Sequence, residues 1–229
     1  MPPPSAAAAA RPATSQASAN QASANQAAGT ATAGTGTKSF TAVQLKNALL
    51  TKVGGANPAA PAEAGDYGGL PDVRTSKQTM NGVKVTPARC ARATVTGFNS
   101  AAFAHAPASV VTFRVGRNGV SEVLVSAAPQ AASSALGNKL PGGCEHYTAM
   151  VNGRTFRYSV KQAALTGLAR QARALNVKAA GYSQVNVWSV VYRADGFVGA
   201  VTVVGPDASQ AGATRLARQA YARAAQSLR

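Results

Sequence analysis

Residues 185–204 read VNVWSVVYRADGFVGAVTVV, and no other segment constrains the architecture as strongly. Two runs rich in valine and aromatic residues flank Asp195-Gly196, a dipeptide that tolerates the positive φ angles of a tight hairpin turn. We therefore predict an antiparallel hairpin that pairs residues 185–194 with 197–204. Apolar side chains occur on both faces of the second strand, which is typical of a central strand that is covered on both sides.

Two further dipeptides of this kind, Asn118-Gly119 and Asn152-Gly153, predict two more hairpins. In the hairpin around Asn152-Gly153, Phe156, Tyr158 and Val160 alternate with polar residues, which indicates a sheet with one face on a core and one in water. Residues 172–180 predict a further strand. The predicted pairs are residues 109–117 with 120–127 and residues 144–151 with 154–162.

Three helices are expected beside these strands. The first begins at a Ser39 cap and ends near Lys52, and the second covers residues 129–139. The third is a long C-terminal helix capped by Asp207, and residues 56–86 between the first helix and the strands are expected to form a long loop. The fold class is therefore α+β, a mainly antiparallel sheet of hairpins with helices, including the C-terminal one, packed on one face. The expected apolar stripe of that last helix is Ala213, Leu216, Ala217, Ala220, Tyr221, Ala224 and Leu228.

The composition divides the chain into two parts. Residues 1–37 contain almost only Ala, Ser, Thr, Gln, Asn, Gly and Pro, with Arg11 as their single charge. Without Val, Leu, Ile or aromatic residues, such a segment cannot bury enough surface to offset the entropy of ordering. We expect a disordered tether over residues 1–37 and a single α+β domain over residues 38–229.

The chain is strongly basic, with 23 Lys and Arg against 7 Asp and Glu and a net charge of +16. Such a charge attracts polyanions. The basic residues are scattered along the domain, whereas a dedicated nucleic-acid surface usually concentrates them on one helix or arm. The partner that we expect is a small ligand or an acidic polymer of the cell envelope, and the scatter disfavours nucleic acid.

Two cysteines, Cys90 and Cys144, lack the short spacings of a metal or redox site. A lone pair of this kind favours one structural disulfide in an exported protein. The alternative is a pair of buried free thiols in a cytosolic protein.

Other features of the sequence bear on the cellular compartment of the protein. No apolar run reaches the roughly 18 residues that a membrane helix needs. The first residues, MPPPS, lack the basic start of a signal peptide. We expect an extracytoplasmic protein whose true start lies upstream, so that membrane association depends on an N-terminal anchor missing from this reading frame.

Catalytic landmarks are sparse. Cys144 and His146 lie two residues apart on a predicted strand and face the same way, so a thiolate–imidazole pair is one alternative. No serine-hydrolase, zinc or phosphate-loop motif occurs, and we predict no metal and no cofactor. Glu122 and Glu145 are expected to be solvated or paired with nearby arginines.

Two places could hold a ligand. Loops carry recognition on rigid scaffolds, so Tyr67 and Leu70 in the predicted long loop are the candidate binding residues. Trp188 and Tyr192 share one strand face, which is more typical of a core than of a ligand platform.

The order of these features resembles a known family. Its landmarks here are Leu49-Leu50-Thr51, Leu70-Pro71 before Cys90, the strand segment Val110-Val111-Thr112-Phe113, and Pro141-Gly142-Gly143 before Cys144. Over most of residues 40–229 the chain resembles the actinobacterial exported lipoproteins related to the extracellular sensor domain of PknH-type receptor kinases. The resemblance implies a sheet-and-helix domain outside the membrane that binds an unidentified ligand and has no known activity. Such kinase domains often have a second cysteine pair, and the lipoproteins have a lipid-attachment cysteine; this sequence has neither.

The leading functional hypothesis is an extracytoplasmic, non-catalytic ligand-binding or sensor-type domain of a cell-envelope lipoprotein. One alternative is an envelope cysteine hydrolase or transpeptidase that uses Cys144 and His146. The other is a cytosolic protein that binds polyanions or nucleic acid.

Overall fold

The computed structural model describes residues 38–93, 98, 101–137, 139–169, 171–180 and 185–229. The expected tether, residues 1–37, lies outside them. A nine-stranded antiparallel sheet has the order β1-β3-β4-β9-β8-β7-β6-β5-β2. The strands are β1 (Glu63–Asp66), β2 (Lys84–Thr86), β3 (Pro107–Val115), β4 (Asn118–Ser126), β5 (His146–Val151), β6 (Arg154–Leu165), β7 (Gln171–Ala180), β8 (Val185–Arg193) and β9 (Phe197–Val204). The α-helices are α1 (Ala42–Ala48), α2 (Pro71–Asn81), α3 (Pro129–Gly137) and α4 (Gln210–Ser227).

The predicted α+β class is confirmed, and so is the hairpin of β8 and β9. Arg193 pairs with Val198, and the turn contains Gly196 at a φ of 83°. Strand β9 lies between β4 and β8, and most of its residues are buried. It is therefore the covered central strand that its apolar residues on both faces predicted.

The other two hairpins are present, but one turn lies elsewhere than expected. Asn152 and Gly153 adopt φ angles of 50° and 74°, as the prediction requires. In the β3–β4 hairpin, Val115 pairs with Asn118, so the turn is Gly116-Arg117 and the prediction for Asn118-Gly119 was wrong. Gly116 supplies the positive φ of 57°, and this leaves Asn118 free to accept a hydrogen bond from the backbone N–H of Asp207 at 3.2 Å.

Helix α1 begins later and ends earlier than expected. Its N-cap is Thr41 instead of Ser39, because Thr41 and Gln44 form a reciprocal capping box. The helix ends at Ala48, well before Lys52, and the chain continues in an extended conformation at Leu49.

Helix α4 also has a different cap from the predicted one. The hydroxyl of Ser209 accepts a hydrogen bond from the N–H of Gly212, which makes Ser209 the N-cap. Asp207 instead forms an exposed ion pair with Arg117, with 2.8 Å between the charged atoms. The predicted alanine stripe is confirmed, since Ala213, Ala217, Ala220 and Ala224 are completely buried.

Residues 56–86 are not a long loop. They contain β1, a short 3-10 turn at Tyr67–Gly69, helix α2 and β2. Pro71 occupies the first turn of α2, where its missing N–H costs no hydrogen bond. Leu70 and Val73 attach this otherwise polar helix to the core. Strands β1 and β2 are the two edges of the sheet, and both are short, which limits edge-to-edge association.

Helices cover both faces of the sheet. The long helix α4 lies with α1 on one face, over a core that includes Leu124, Val190 and Tyr192. Helices α2 and α3 lie on the opposite face, over Val125 and Val198. The expectation of helices packed on one face therefore holds for α1 and α4 only: α3 was predicted but not its side of the sheet, and α2 was not recognised as a helix.

Candidate functional site

A groove of about 730 Å³ opens where the end of α3 meets the β6–β7 hairpin. Its apolar walls come from Leu136, Leu165 and neighbouring alanines, and its polar groups from Lys139, Gln162, Gln171 and Arg173. None of its described lining residues is acidic. The groove thus combines apolar walls with basic side chains, an arrangement suited to a small anion with an apolar body.

Arg173 is the most unusual residue of the groove because it is only 9% exposed. It lies on the same face of β7 as Leu175 and Val177, beneath α3, and its guanidinium donates a hydrogen bond to the carbonyl of Ala135 at 3.0 Å. Burial lowers the pKa of this guanidinium. A cation whose hydration is reduced in this way interacts more strongly with an anion than an exposed one does.

A second buried charged residue, Glu122, lies in the core beneath α1. It is completely buried, so the expectation of a solvated carboxylate was wrong for this residue, whereas Glu145 is exposed. One carboxyl oxygen, Oε2, accepts a hydrogen bond from the N–H of Leu50 at 2.7 Å. Oε1 has no hydrogen-bond partner among the described residues. Val120 and Leu124 flank Glu122 on the same strand face, and this alternation could have predicted its burial.

Burial raises the pKa of Glu122 to about 7, although the Leu50 hydrogen bond and the positive charge of Arg223 act in the opposite direction. Arg223 on α4 donates hydrogen bonds to the carbonyls of Leu49 and Asn47 at the end of α1. The buried hydroxyl of Tyr192 has a raised pKa, first through burial and then through Glu122 and Tyr221. This cluster lies in the main core and joins α1 to α4.

The two cysteines form the expected disulfide, with Cα atoms 5.3 Å apart. Both are buried, in a cluster that attaches the segment Ala88–Arg92 to β5 and its neighbours. Cys144 is therefore no thiolate nucleophile, and the proposed pairing with His146 is wrong. His146 lies on the exposed face of β5.

The structure places Tyr67 and Leu70 inside the protein. They are 7% and 2% exposed, and Tyr67 contacts Phe98 with ring centroids 5.8 Å apart. Lys77 lies 6.0 Å from the Tyr67 ring centroid. Tyr192 is likewise a core residue and Trp188 is half-buried against the same core, as their shared strand face predicted.

No group of three or more His, Cys, Asp or Glu residues within the described ranges is arranged to hold a metal ion. No helix in the described part of the chain is both long and apolar enough to cross a membrane.

Comparison with models of protein families finds no match, and comparison with curated proteins finds none either. Among solved structures, the extracellular domain of PknH from Mycobacterium tuberculosis aligns with a TM-score of 0.57 at 12% identity, covering 83% of this chain and 100% of that one. An uncharacterized protein from Mycobacterium smegmatis aligns with a TM-score of 0.37 at 16% identity, covering 64% of this chain and 76% of that one. The chain therefore has a fold related to that of the PknH extracellular domain.

Proposed function

We propose that this protein is an extracytoplasmic, non-catalytic ligand-binding or sensor-type domain whose ligand occupies the groove beside Arg173. The observation that carries the proposal is a basic groove with apolar walls on a domain held together by a disulfide. Disulfides persist in oxidising compartments and are rare in the cytosol. The fold shared with an extracellular domain is in line with this location.

The groove defines the class of ligand. Lys139 and Arg173 supply positive charge, Gln162 and Gln171 supply amide groups, and Leu136 and Leu165 lie among the apolar wall residues. A small molecule with one carboxylate or phosphate and a short hydrocarbon part fits both the polar groups and the apolar walls of the groove. A neutral molecule of the same shape lacks the charge that Lys139 and Arg173 attract.

The test measures binding of straight-chain carboxylates, from butanoate to decanoate, by NMR chemical-shift titration. Saturable shifts are expected at the groove, with affinity rising with chain length because more apolar surface is buried. Octanamide, which is neutral, should bind at least tenfold more weakly than octanoate. Lys139→Gln should weaken octanoate binding several-fold, whereas Lys46→Gln on the exposed side of α1 should have no effect.

Either of two results would contradict the proposal that the groove is the ligand site. One is the absence of saturable shifts with every carboxylate of the series. The other is equal binding of octanoate and octanamide. Arg173→Gln is informative only alongside Lys139→Gln, because Arg173 also contacts α3 and its loss perturbs folding.

We also propose that the domain belongs to a cell-envelope lipoprotein. The support is the resemblance of its motif order to exported lipoproteins together with the disulfide. The DNA sequence upstream of the codon for Met1 tests this point. An in-frame signal peptide that ends in a lipid-attachment cysteine is the expected finding, and a stop codon with no such segment would contradict it.

A further inference from the structure

The charges of the chain are unevenly distributed. Residues 146–194 contain seven Lys and Arg and no Asp or Glu. This segment forms β5 to β8, four of the nine strands of the sheet. Strand β2, which pairs with β5, is likewise free of acidic residues and contributes Lys84.

The pairing register places three of these seven residues, Arg157, Lys161 and Lys178, on one open face. Lys178 of β7 and His146 of β5 both pair with Ser159 of β6, so the three side chains lie on the same side of the sheet. Arg157 and Lys161 flank Ser159 at two-residue steps and therefore share that side. We call these residues, with Lys84, the basic sheet face: Lys84, His146, Arg157, Lys161 and Lys178.

This face is the continuation of the face that α4 covers over β8 and β9. Helix α4 lies mainly over β8 and β9, and the outward residues of β6 from Thr155 to Ala163 are exposed or half-buried. All five residues of the basic sheet face are exposed. None of them lines the groove beside Arg173.

The cations are spread out. The Cα atoms of Arg157 and Lys161 lie about 13 Å apart along β6. The Cα atom of Lys178 lies midway between them on the next strand, about 5 Å to the side. Such an array matches anionic groups that repeat along a chain better than it matches one small anion. The hydroxyls of Thr148 and Ser159 lie between the cations and can bind sugar hydroxyls.

We propose that the basic sheet face is a docking surface for an acidic polysaccharide, a sugar chain that carries repeated carboxylates. That this polysaccharide belongs to the cell envelope rests on the extracytoplasmic location proposed above. Its binding to the basic sheet face does not depend on the groove beside Arg173.

The other polyanions fit this surface less well. Single-stranded nucleic acid is bound through several aromatic side chains on which successive bases stack. Tyr147, Phe156 and Tyr158 point to the opposite face, and Trp188, which shares the face, packs partly buried against the main core. A membrane surface requires apolar side chains that enter the lipid, and Met150, 38% exposed, is the large apolar residue that this face exposes.

The test compares two triple variants with the same change in net charge. Arg157→Gln, Lys161→Gln and Lys178→Gln are combined in the first. The second combines Lys46→Gln, Arg215→Gln and Arg218→Gln, all exposed on α1 or α4. Binding of polygalacturonate is measured by calorimetry at several salt concentrations, with neutral dextran as the control polymer. Equal thermal midpoints for the two variants exclude a folding effect.

The expected result is at least a tenfold loss of polygalacturonate affinity in the first variant and less than threefold in the second. The salt dependence of binding should become shallower in the first variant, because fewer counter-ions are released. Octanoate binding in the groove should be the same in both variants, which separates this inference from the proposed ligand site.

Four outcomes would overturn the inference. Equal losses in the two variants would mean that net charge alone drives binding. If the wild-type protein did not bind polygalacturonate, an acidic polysaccharide would not be the partner. An oligonucleotide of equal charge that binds more tightly, or vesicles of phosphatidylglycerol that do so, would assign the surface to another class of partner.

Discussion

At the scale of single residues, Glu122 makes a clear prediction about pH. The folded protein raises the pKa of this carboxyl from 4.5 to about 7, so it keeps the proton where the unfolded chain has lost it. The stability that this proton contributes is fully present below pH 4.5 and is lost as the pH rises to about 7. At about 1.4 kcal/mol per pH unit, the loss amounts to about 3 kcal/mol.

Glu122→Gln removes this titration while keeping the shape of the side chain. Relative to the variant, the wild type should lose about 3 kcal/mol of unfolding free energy between pH 4.5 and 7.5. Urea unfolding at a series of pH values measures the difference. Glu145→Gln is the matched control, because Glu145 is an exposed carboxylate, and its curve should run parallel to the wild type. A parallel curve for Glu122→Gln would refute the account of this residue.

At the scale of elements, helix α1 is attached to α4 through Arg223. Its guanidinium donates to the carbonyls of Leu49 and Asn47, and its charge acts on Glu122. Arg223→Met should reduce the unfolding free energy by about 1–3 kcal/mol, because two hydrogen bonds from a charged donor are lost, one of them to the carbonyl of the buried Leu49. In the Arg223→Met variant, hydrogen exchange in α1 should be faster than in the wild type, and this increase should be larger than any increase in the central strands.

Arg218→Met on the exposed side of the same helix is the control for lost charge and changed helix propensity. It should leave the exchange of α1 unchanged. If the two variants opened α1 equally, the contacts of Arg223 would not be what attaches this helix.

The elements also show which signals in a sequence are reliable. Asn152-Gly153 and Asp195-Gly196 predicted their turns because both dipeptides lie between strands with clear alternation. Asn118-Gly119 failed because Gly116, two residues earlier, already provides a positive φ. Helix α2 was missed because its polar, mostly exposed sequence has few apolar positions to show a helical period.

The candidate site was less predictable than the fold. Arg173 and Glu122 each interrupt an apolar strand face, and that alternation was a usable sign of burial. The groove itself joins the end of α3 to the β6–β7 hairpin, and periodicity within one segment does not reveal which segments meet. Tyr67 and Leu70 looked like loop residues only because the helix that follows them was not recognised.

At the scale of the whole molecule, small residues lie where α4 packs on the sheet, and exposed basic residues lie on the strands that α4 leaves uncovered. Alanines let α4 approach the central strands closely. Positive charge accumulates on the part of the sheet that α4 leaves open, whereas Arg117 and Asp207 form an exposed ion pair at the start of α4. The sheet thus has a part that α4 covers and an uncovered part that carries the exposed Arg157, Lys161 and Lys178.

The location of the protein is tested most directly by the redox state of Cys90 and Cys144 in the cells that make it. Intact cells are treated with a permeant thiol-alkylating reagent before lysis, and the modified protein is measured by mass spectrometry with and without prior reduction. A domain that works outside the cytoplasm should carry no alkyl group until a reductant is added, and then two. Two alkyl groups without any reductant would contradict the account.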